Sequence, residues 1–319
     1  MTKEIGGYIE LDSYRLPMLH DDGLLLNCGR SCLLYILKAK NIKKIVIPYY
    51  CCDTVREVCI KAGVETRYFS IGLNWQPSDI KLAEDEWLYI VNYFGQLTHK
   101  QILALRDLYK NIIVDNAQAY FDNPIEGIDT LYTCRKFFGV ADGGILYTDT
   151  FLTDILPTDE SWRRMEFLLG RYERTASEFY GRYVENNDIF YDEGIKHMSL
   201  LTSNLLHGID YDFIRQRRQN NFAFLHDAFG GENKLSIRVP DGAFAYPLLV
   251  ENGVEIRSKL IKEKIYIPCL WPNVRDDTNV KSLEYRLADN ILPLPVDQRY
   301  SLEDMKYLEK IVHRYINET

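Results

Sequence analysis

The chain has 319 residues, 46% of them apolar and 26% charged, with a formal net charge of −8. Those values describe a soluble globular protein of one large domain or two closely packed ones, and exclude a disordered chain. The acidic balance argues against nucleic acid as a partner. No apolar run approaches the ~20 residues that span a bilayer, and the opening MTKEIGGYIELDS lacks the apolar stretch of a secretory signal, so a cytoplasmic location is expected.

Taken in chain order, the first half alternates strand and helix. The runs KKIVIPYY (43–50), VETRYFSI (64–71) and WLYIVNYF (87–94) read as strands, as do NIIVDNAQAY (111–120) up to Asp115, DTLYTC (129–134) and GGILYTD (143–149). Between them RSCLLYILKAKN, DTVREVCIKAG and HKQILALRDLYKN repeat apolar residues at helical spacings of three and four. This alternation predicts an α/β fold with a mostly parallel sheet.

The pattern changes after about residue 150. DESWRRMEFLLGRYERTASEFYGRYVENN reads as a charged helix with its Tyr and Trp turned to the core, and DYDFIRQRRQNNFAFLHDAFG as a helix stopped by glycine. Beyond these, FAYPLLV is expected as a strand, EIRSKLIKEK as a helix and IYIPCLW as a strand. SLEDMKYLEKIVHRYI closes the chain as an amphipathic helix capped by Ser301, with Leu308, Ile311, Val312 and Tyr315 as its apolar stripe. The layout divides near residues 200–210, into a large domain over 1–205 and a smaller α+β domain over 206–319.

Seven cysteines, an odd number without a CxxC pair, give no disulfide framework. Cys28, Cys32, Cys51 and Cys52 lack the close spacing of a metal knuckle, so no metal site is expected and the cysteines read as small buried hydrophobes.

Four features carry chemistry. Asp115 follows the apolar run IIV, at the carboxyl end of a parallel strand where ligands bind; the same residue type also serves as a turn or helix cap. Gln118 lies one turn further on. Lys136 comes 21 residues after Asp115, behind the next strand, with Arg135 and two phenylalanines beside it. It is either a solvated surface lysine or an amine whose setting lowers its proton affinity for imine chemistry. In NCGRSC (27–32), Gly29 opens a helix whose backbone N–H groups suit an anion, although a lone glycine before a helix is often only a turn. Thr133 stands three residues before Lys136, placed to add a hydroxyl. A carboxylate, an amide, a lysine and a glycine-opened helix together suit pyridoxal 5′-phosphate (PLP).

With these residues in view, the sequence resembles the DegT/DnrJ/EryC1/StrS family of sugar aminotransferases, which are fold-type-I PLP enzymes. The resembling segments are NCGRSCLLYIL, KKIVIPYYCCDTVREVCIKAGVETRYFSI, VNYFGQL, IIVDNAQAYF, TCRKFFGVADGGILYTD and ILPLPVDQRYSLEDMKYLEKIV. The Asp–Gln block and the lysine loop are the most specific of them. The resemblance implies that Lys136 forms the internal aldimine and shuttles protons, that Asp115 pairs with the pyridinium, and that Gln118 reaches the ring hydroxyl. It implies backbone contacts from Gly29 and Arg30 to the phosphate, hydroxyls from Ser31 and Thr133, and Tyr50 or Cys52 against the ring. A homodimer, an amino acid donor such as glutamate, and a keto acceptor, a nucleotide-linked keto sugar, are also implied. Two departures stand out: the segment GIKHMSLLTSNLL carries Lys196, His197 and Met198 where the family has Asn-x-Arg-Met, and Arg30 replaces a small threonine. These leave a PLP-dependent lyase, or a non-catalytic binding protein of the same fold, as alternatives. His99, Trp271 and Arg257 are substrate candidates by position only.

Overall fold

The computed structural model describes residues 5–78 and 80–318. Seven strands form the main sheet: β1 (Leu24–Leu26), β2 (Lys44–Pro48), β3 (Glu65–Phe69), β4 (Glu86–Val91), β5 (Ile112–Asp115), β6 (Asp129–Thr133) and β7 (Gly144–Tyr147). Their spatial order is β1-β7-β6-β5-β4-β2-β3. The strands β3, β2, β4, β5 and β6 run parallel, whereas β7 is antiparallel to both β6 and β1. The mostly parallel α/β sheet expected from the alternation is therefore present.

Helices α1 (Gly29–Ala39), α2 (Asp53–Lys61) and α3 (His99–Tyr109) connect β1 to β2, β2 to β3 and β4 to β5. Each buries the residues its apolar spacing selects: Cys32, Leu33, Ile36 and Leu37 on α1, Val55, Val58 and Cys59 on α2, Ile102 and Leu105 on α3. Thr98 and Gln101 close a reciprocal capping box at the start of α3, satisfying amide donors that a helix leaves open. The core of β2, β4 and β5 is buried on both faces, which explains why those strands read as unbroken apolar runs.

The remaining elements are α4 (Glu166–Glu173), α5 (Tyr180–Asp192), α6 (Leu200–Leu206), α7 (Tyr211–Phe229), β8 (Ala245–Leu249), α8 (Gly253–Lys262), α9 (Asn273–Asp277), α10 (Leu283–Asn290), β9 (Ile291–Pro295) and α11 (Leu302–Asn317). A two-stranded antiparallel sheet, β8 with β9, packs with α7, α8 and α11 around a second apolar cluster that includes Phe222, Tyr246, Leu260, Leu294 and Leu308. Ser301 and Asp304 form the capping box of α11, and Leu308, Ile311 and Val312 of its expected stripe are buried.

Three expectations are corrected. The charged stretch after residue 159 is not one helix. It folds as a short turn, then α4 and α5, with the Phe179 ring packed where a side chain at Gly170 would sit, 2.3 Å from an ideal Cβ there. Its Trp and Tyr residues do not face the core: Trp162, Tyr172 and Tyr180 are 61%, 92% and 63% exposed, while Phe167 and Phe190 point inward. Finally, IYIPCLW forms no strand. Pro268 removes a ladder donor from the run, and β8 already pairs with β9.

Candidate active site

The carboxyl ends of the parallel strands meet at one sheet edge. Asp115, the last residue of β5, lies level with Val91 of β4 and Leu131 of β6. Thr133 closes β6 two residues beyond, and Cys134–Lys136 form a single 3-10 turn after it. The strand β1 runs parallel to β6, because both are antiparallel to β7, so its end delivers Asn27, Cys28 and Gly29 to the same edge. An ideal Cβ on Gly29 would sit 4.0 Å from Thr133 Cβ, so the start of α1 and the end of β6 adjoin.

Asp115 is buried, 8% exposed, and its carboxylate is held by its own chain. The Tyr89 hydroxyl donates to Oδ2 at 2.7 Å and the Ala117 amide donates to Oδ1 at 2.7 Å. Burial pushes the Tyr89 hydroxyl's pKa well up, with the Asp115 charge adding to it, so Tyr89 keeps its proton and serves as a donor. Each carboxylate oxygen retains a lone pair for a further donor.

Gln118 is 2% exposed. Its Oε1 accepts the Phe94 amide at 2.8 Å, while its Nε2 is buried with no acceptor. Phe94 presents that amide from a left-handed backbone, φ 52°, an unusual state for a buried aromatic residue. An unsatisfied buried amide costs about 1–3 kcal/mol, so a ligand acceptor at this point would repay a deficit already built into the fold.

Lys136 projects from the turn into the exposed side of the site. The cation wall it meets differs from the expectation: Phe137 and Phe138 are buried in the cluster formed with Tyr120, Tyr132 and Met198, and Arg135 turns away toward α5. Phe244, from the C-terminal part of the chain, lies under the Lys136 ammonium instead, its ring centre 5.8 Å from Nζ.

At the start of α1 the Gly29 and Arg30 amides have no acceptor among the described residues, as a first helical turn requires. The Ser31 amide is taken by Cys28 Sγ at 3.4 Å, and the Ser31 hydroxyl donates to Asn27 Oδ1 at 2.6 Å. Ser31 therefore offers an oxygen lone pair but no free proton while that bond lasts. The Thr133 hydroxyl has no hydrogen-bond partner among the described residues. A cavity of about 40 Å³ opens at this corner beside Arg30 and Ser31.

The Tyr50 ring is fully buried against Tyr93 and Trp271, at centroid distances of 5.4 and 5.2 Å, and its hydroxyl lacks a partner. Half-buried Cys52, the N-cap of α2, stands nearer the lysine, whose charge it senses. Burial pushes the thiols of Cys28, Cys32, Cys51, Cys52, Cys59 and Cys134 up, as expected of packing residues. Among the described residues no cluster of three or more His, Cys, Asp or Glu could hold a metal.

The departing segment is tied down within the chain. Lys196 pairs with Glu193 at 2.6 Å and its carbonyl accepts the Asn27 amide. Arg257 donates to the Ile291 carbonyl at 2.8 Å, and His99 meets the Asn123 carbonyl at 3.1 Å, so both have structural partners. Tyr89 and Asn92 were not singled out in the sequence. Asn92 links Asn116 Oδ1 (3.1 Å) and Asp122 Oδ2 (3.0 Å) across the strand ends. A polar residue directly after an apolar strand was the available signal for Asn92; a tyrosine inside a buried strand gives none.

A lysine turn, a strand-end aspartate and a glycine-opened helix thus lie on one edge of a parallel sheet, and the fold that carries them is shared with solved aminotransferases. No family model and no curated protein matches the chain in sequence. Among solved structures, it resembles DesV of S. venezuelae in complex with a ketimine intermediate, at 14% identity and a TM-score of 0.66, covering 92% of this chain and 84% of that one. NtdA of Bacillus subtilis with bound cofactor PMP matches at 12% identity and a TM-score of 0.66, with 92% and 73% covered. A DegT DnrJ EryC1 StrS aminotransferase from Brucella abortus matches at 13% identity and 0.60, with 92% and 85% covered. At these identities the shared property is the fold.

Proposed function

We propose that the chain is a PLP-dependent aminotransferase that moves an amino group from an amino acid donor, glutamate in the first instance, to a nucleotide-linked keto sugar destined for surface polysaccharide. The observation that carries the reading is the buried, unpartnered Gln118 Nε2 beside a pre-held Asp115, on the sheet edge that also presents Lys136. Support for the substrate class comes from the similar structures, among them the sugar aminotransferase CalS13 of Micromonospora echinospora and Spr1654 of Streptococcus pneumoniae, solved in PLP and PMP forms.

The residues fit the cofactor. PLP supplies an electron sink for the carbon that gains or loses the amino group. Asp115 would keep the ring nitrogen protonated, Gln118 Nε2 would donate to the ring oxygen, and the Gly29 and Arg30 amides with Thr133 would receive the phosphate. Lys136 Nζ would bind the cofactor aldehyde and move the proton on the reacting carbon in both half-reactions.

The test is direct. Purified protein supplied with PLP should turn yellow, borohydride should fix the cofactor on the peptide containing Lys136, and glutamate should bleach the colour until a keto acid restores it. Lys136→Ala should lower turnover by about 10²-fold or more. A chain that takes up no PLP, or whose cofactor is fixed on another lysine, would overturn the reading.

A further inference from the structure

Arg30 is the second residue of α1, and Arg135 sits between Thr133 and Lys136 in the turn after β6. Other cations at this corner are matched: Arg164 with Asp159 at 2.6 Å, Lys196 with Glu193 at 2.6 Å. Arg30 and Arg135 form no ion pair among the described residues. The carboxylates around them are committed elsewhere, Glu57 to the Tyr191 hydroxyl, Glu193 to Lys196 and Asp159 to Arg164.

Both arginines also keep a buried Nε with no acceptor. Arg135 donates to Asn187 Oδ1 and lies over the Phe190 ring at 4.9 Å, and Arg30 lies over Tyr191 at 5.8 Å. Aromatic faces and an amide hold a guanidinium in place without cancelling its charge. Two largely unexposed cations in an acidic protein, each with an unused donor, cost stability unless an anion completes them. Burial draws the Arg135 proton affinity down, Tyr183 and Cys28 oppose it, and the Arg30 charge adds to the lowering. Gly29 and Thr133 bring the start of α1 and the turn that carries Arg135 into contact.

We propose that Arg30 and Arg135 form an intrachain clamp for a phosphate dianion at the start of α1. It deepens, and rests on, the cofactor reading when the phosphate is that of PLP. The same chemistry would serve the diphosphate of a nucleotide-linked substrate, and the experiment separates the two.

Full-length wild type, Arg30→Met, Arg135→Met and Arg135→Lys would be titrated with PLP, pyridoxal, UDP and inorganic phosphate. PLP affinity should fall roughly ten- to hundred-fold in each Met variant, the range of a lost charge-assisted hydrogen bond, while pyridoxal affinity stays unchanged. Arg135→Lys should recover part of the loss, since lysine keeps the charge without the fork. Inorganic phosphate should raise the wild-type melting temperature and not that of the Met variants; this arm requires no PLP chemistry. A loss confined to UDP assigns the clamp to the substrate's diphosphate. Equal losses for PLP and pyridoxal, or no effect of any phosphate on the wild type, would overturn the clamp. A wild type that binds phosphate but neither PLP nor pyridoxal would sink the aminotransferase reading and leave the clamp standing.

Discussion

Asp115 is oriented before any ligand arrives. With Tyr89 on one oxygen and the Ala117 amide on the other, the carboxylate pays little reorganisation when a third donor approaches. Asp122, on the same rim, is set differently. Burial pushes its carboxyl up to about 6, only partly offset by Arg238 and by the Asn92 amide. A carboxyl raised in the fold favours the folded state when protonated. Its contribution is full below about pH 4 and is lost as pH rises through about 6. Asp122→Asn keeps an oxygen for Asn92 and removes the charge, so the variant should be more stable than wild type at pH 8, by up to about 2 kcal/mol, and no more stable than wild type at pH 4. Thermal unfolding across that range checks it, and a gain equal at both pH values would refute the assignment. Asp115 was legible because it closes an apolar parallel strand at the ligand edge of the sheet, and Gln118 because it lies one turn beyond it. Tyr89 was not, since its aromatic ring satisfies the strand pattern whether or not its hydroxyl has a task.

At the scale of elements, the critical approach is that of β7 to the start of α1. A Cβ on Gly144 would lie 2.6 Å from the carbonyl carbon and oxygen of Cys28, which are backbone and cannot swing aside. Gly143, at φ 120°, makes the turn that brings β7 there. Gly144→Ala must therefore displace the N-terminus of α1, costing about 1–3 kcal/mol as overpacking does. It should also weaken PLP binding while leaving the fold's circular dichroism intact; a variant with wild-type melting and affinity would show that α1 tolerates the shift. Strands β2 and β4 to β7 were readable because burial demands largely apolar runs, and the edge strand β3 through its alternating exposure. The short β1 and the proline-bearing β9 were not: three residues give no period, and Pro293 and Pro295 are tolerated only because β9 pairs along one edge. The break between α4 and α5 escaped detection for a different reason. Across it Phe179 packs onto Gly170, a contact that no helical period encodes.

On the scale of the whole molecule, large apolar side chains are exposed at several places, two of them the N-terminal arm and the α4–α5 region. Ile5, Tyr8 and Ile9 of the N-terminal arm are 92%, 97% and 90% exposed, and Tyr172 and Trp162 crown the α4–α5 region. Residues of this size left in water over adjoining stretches mark a surface that another protein covers. The same Tyr and Trp positions were expected in the core from sequence, since an aromatic residue at helical spacing reads alike whether its own chain or another buries it. A second copy of the chain is the occupant we favour, because the homodimer implied by the family resemblance gives these side chains an apolar partner. Light scattering on the purified full-length chain should then return twice the chain mass at micromolar concentration. Tyr172→Glu should shift that mass toward the monomer, because a carboxylate at the centre of an apolar contact loses its hydration without gaining a partner. Ile9→Glu tests the arm separately, and if both regions belong to one interface the two variants should weaken association with comparable effect. A wild type that remains monomeric, or variants that dimerise as well as wild type, would assign these side chains to some other contact.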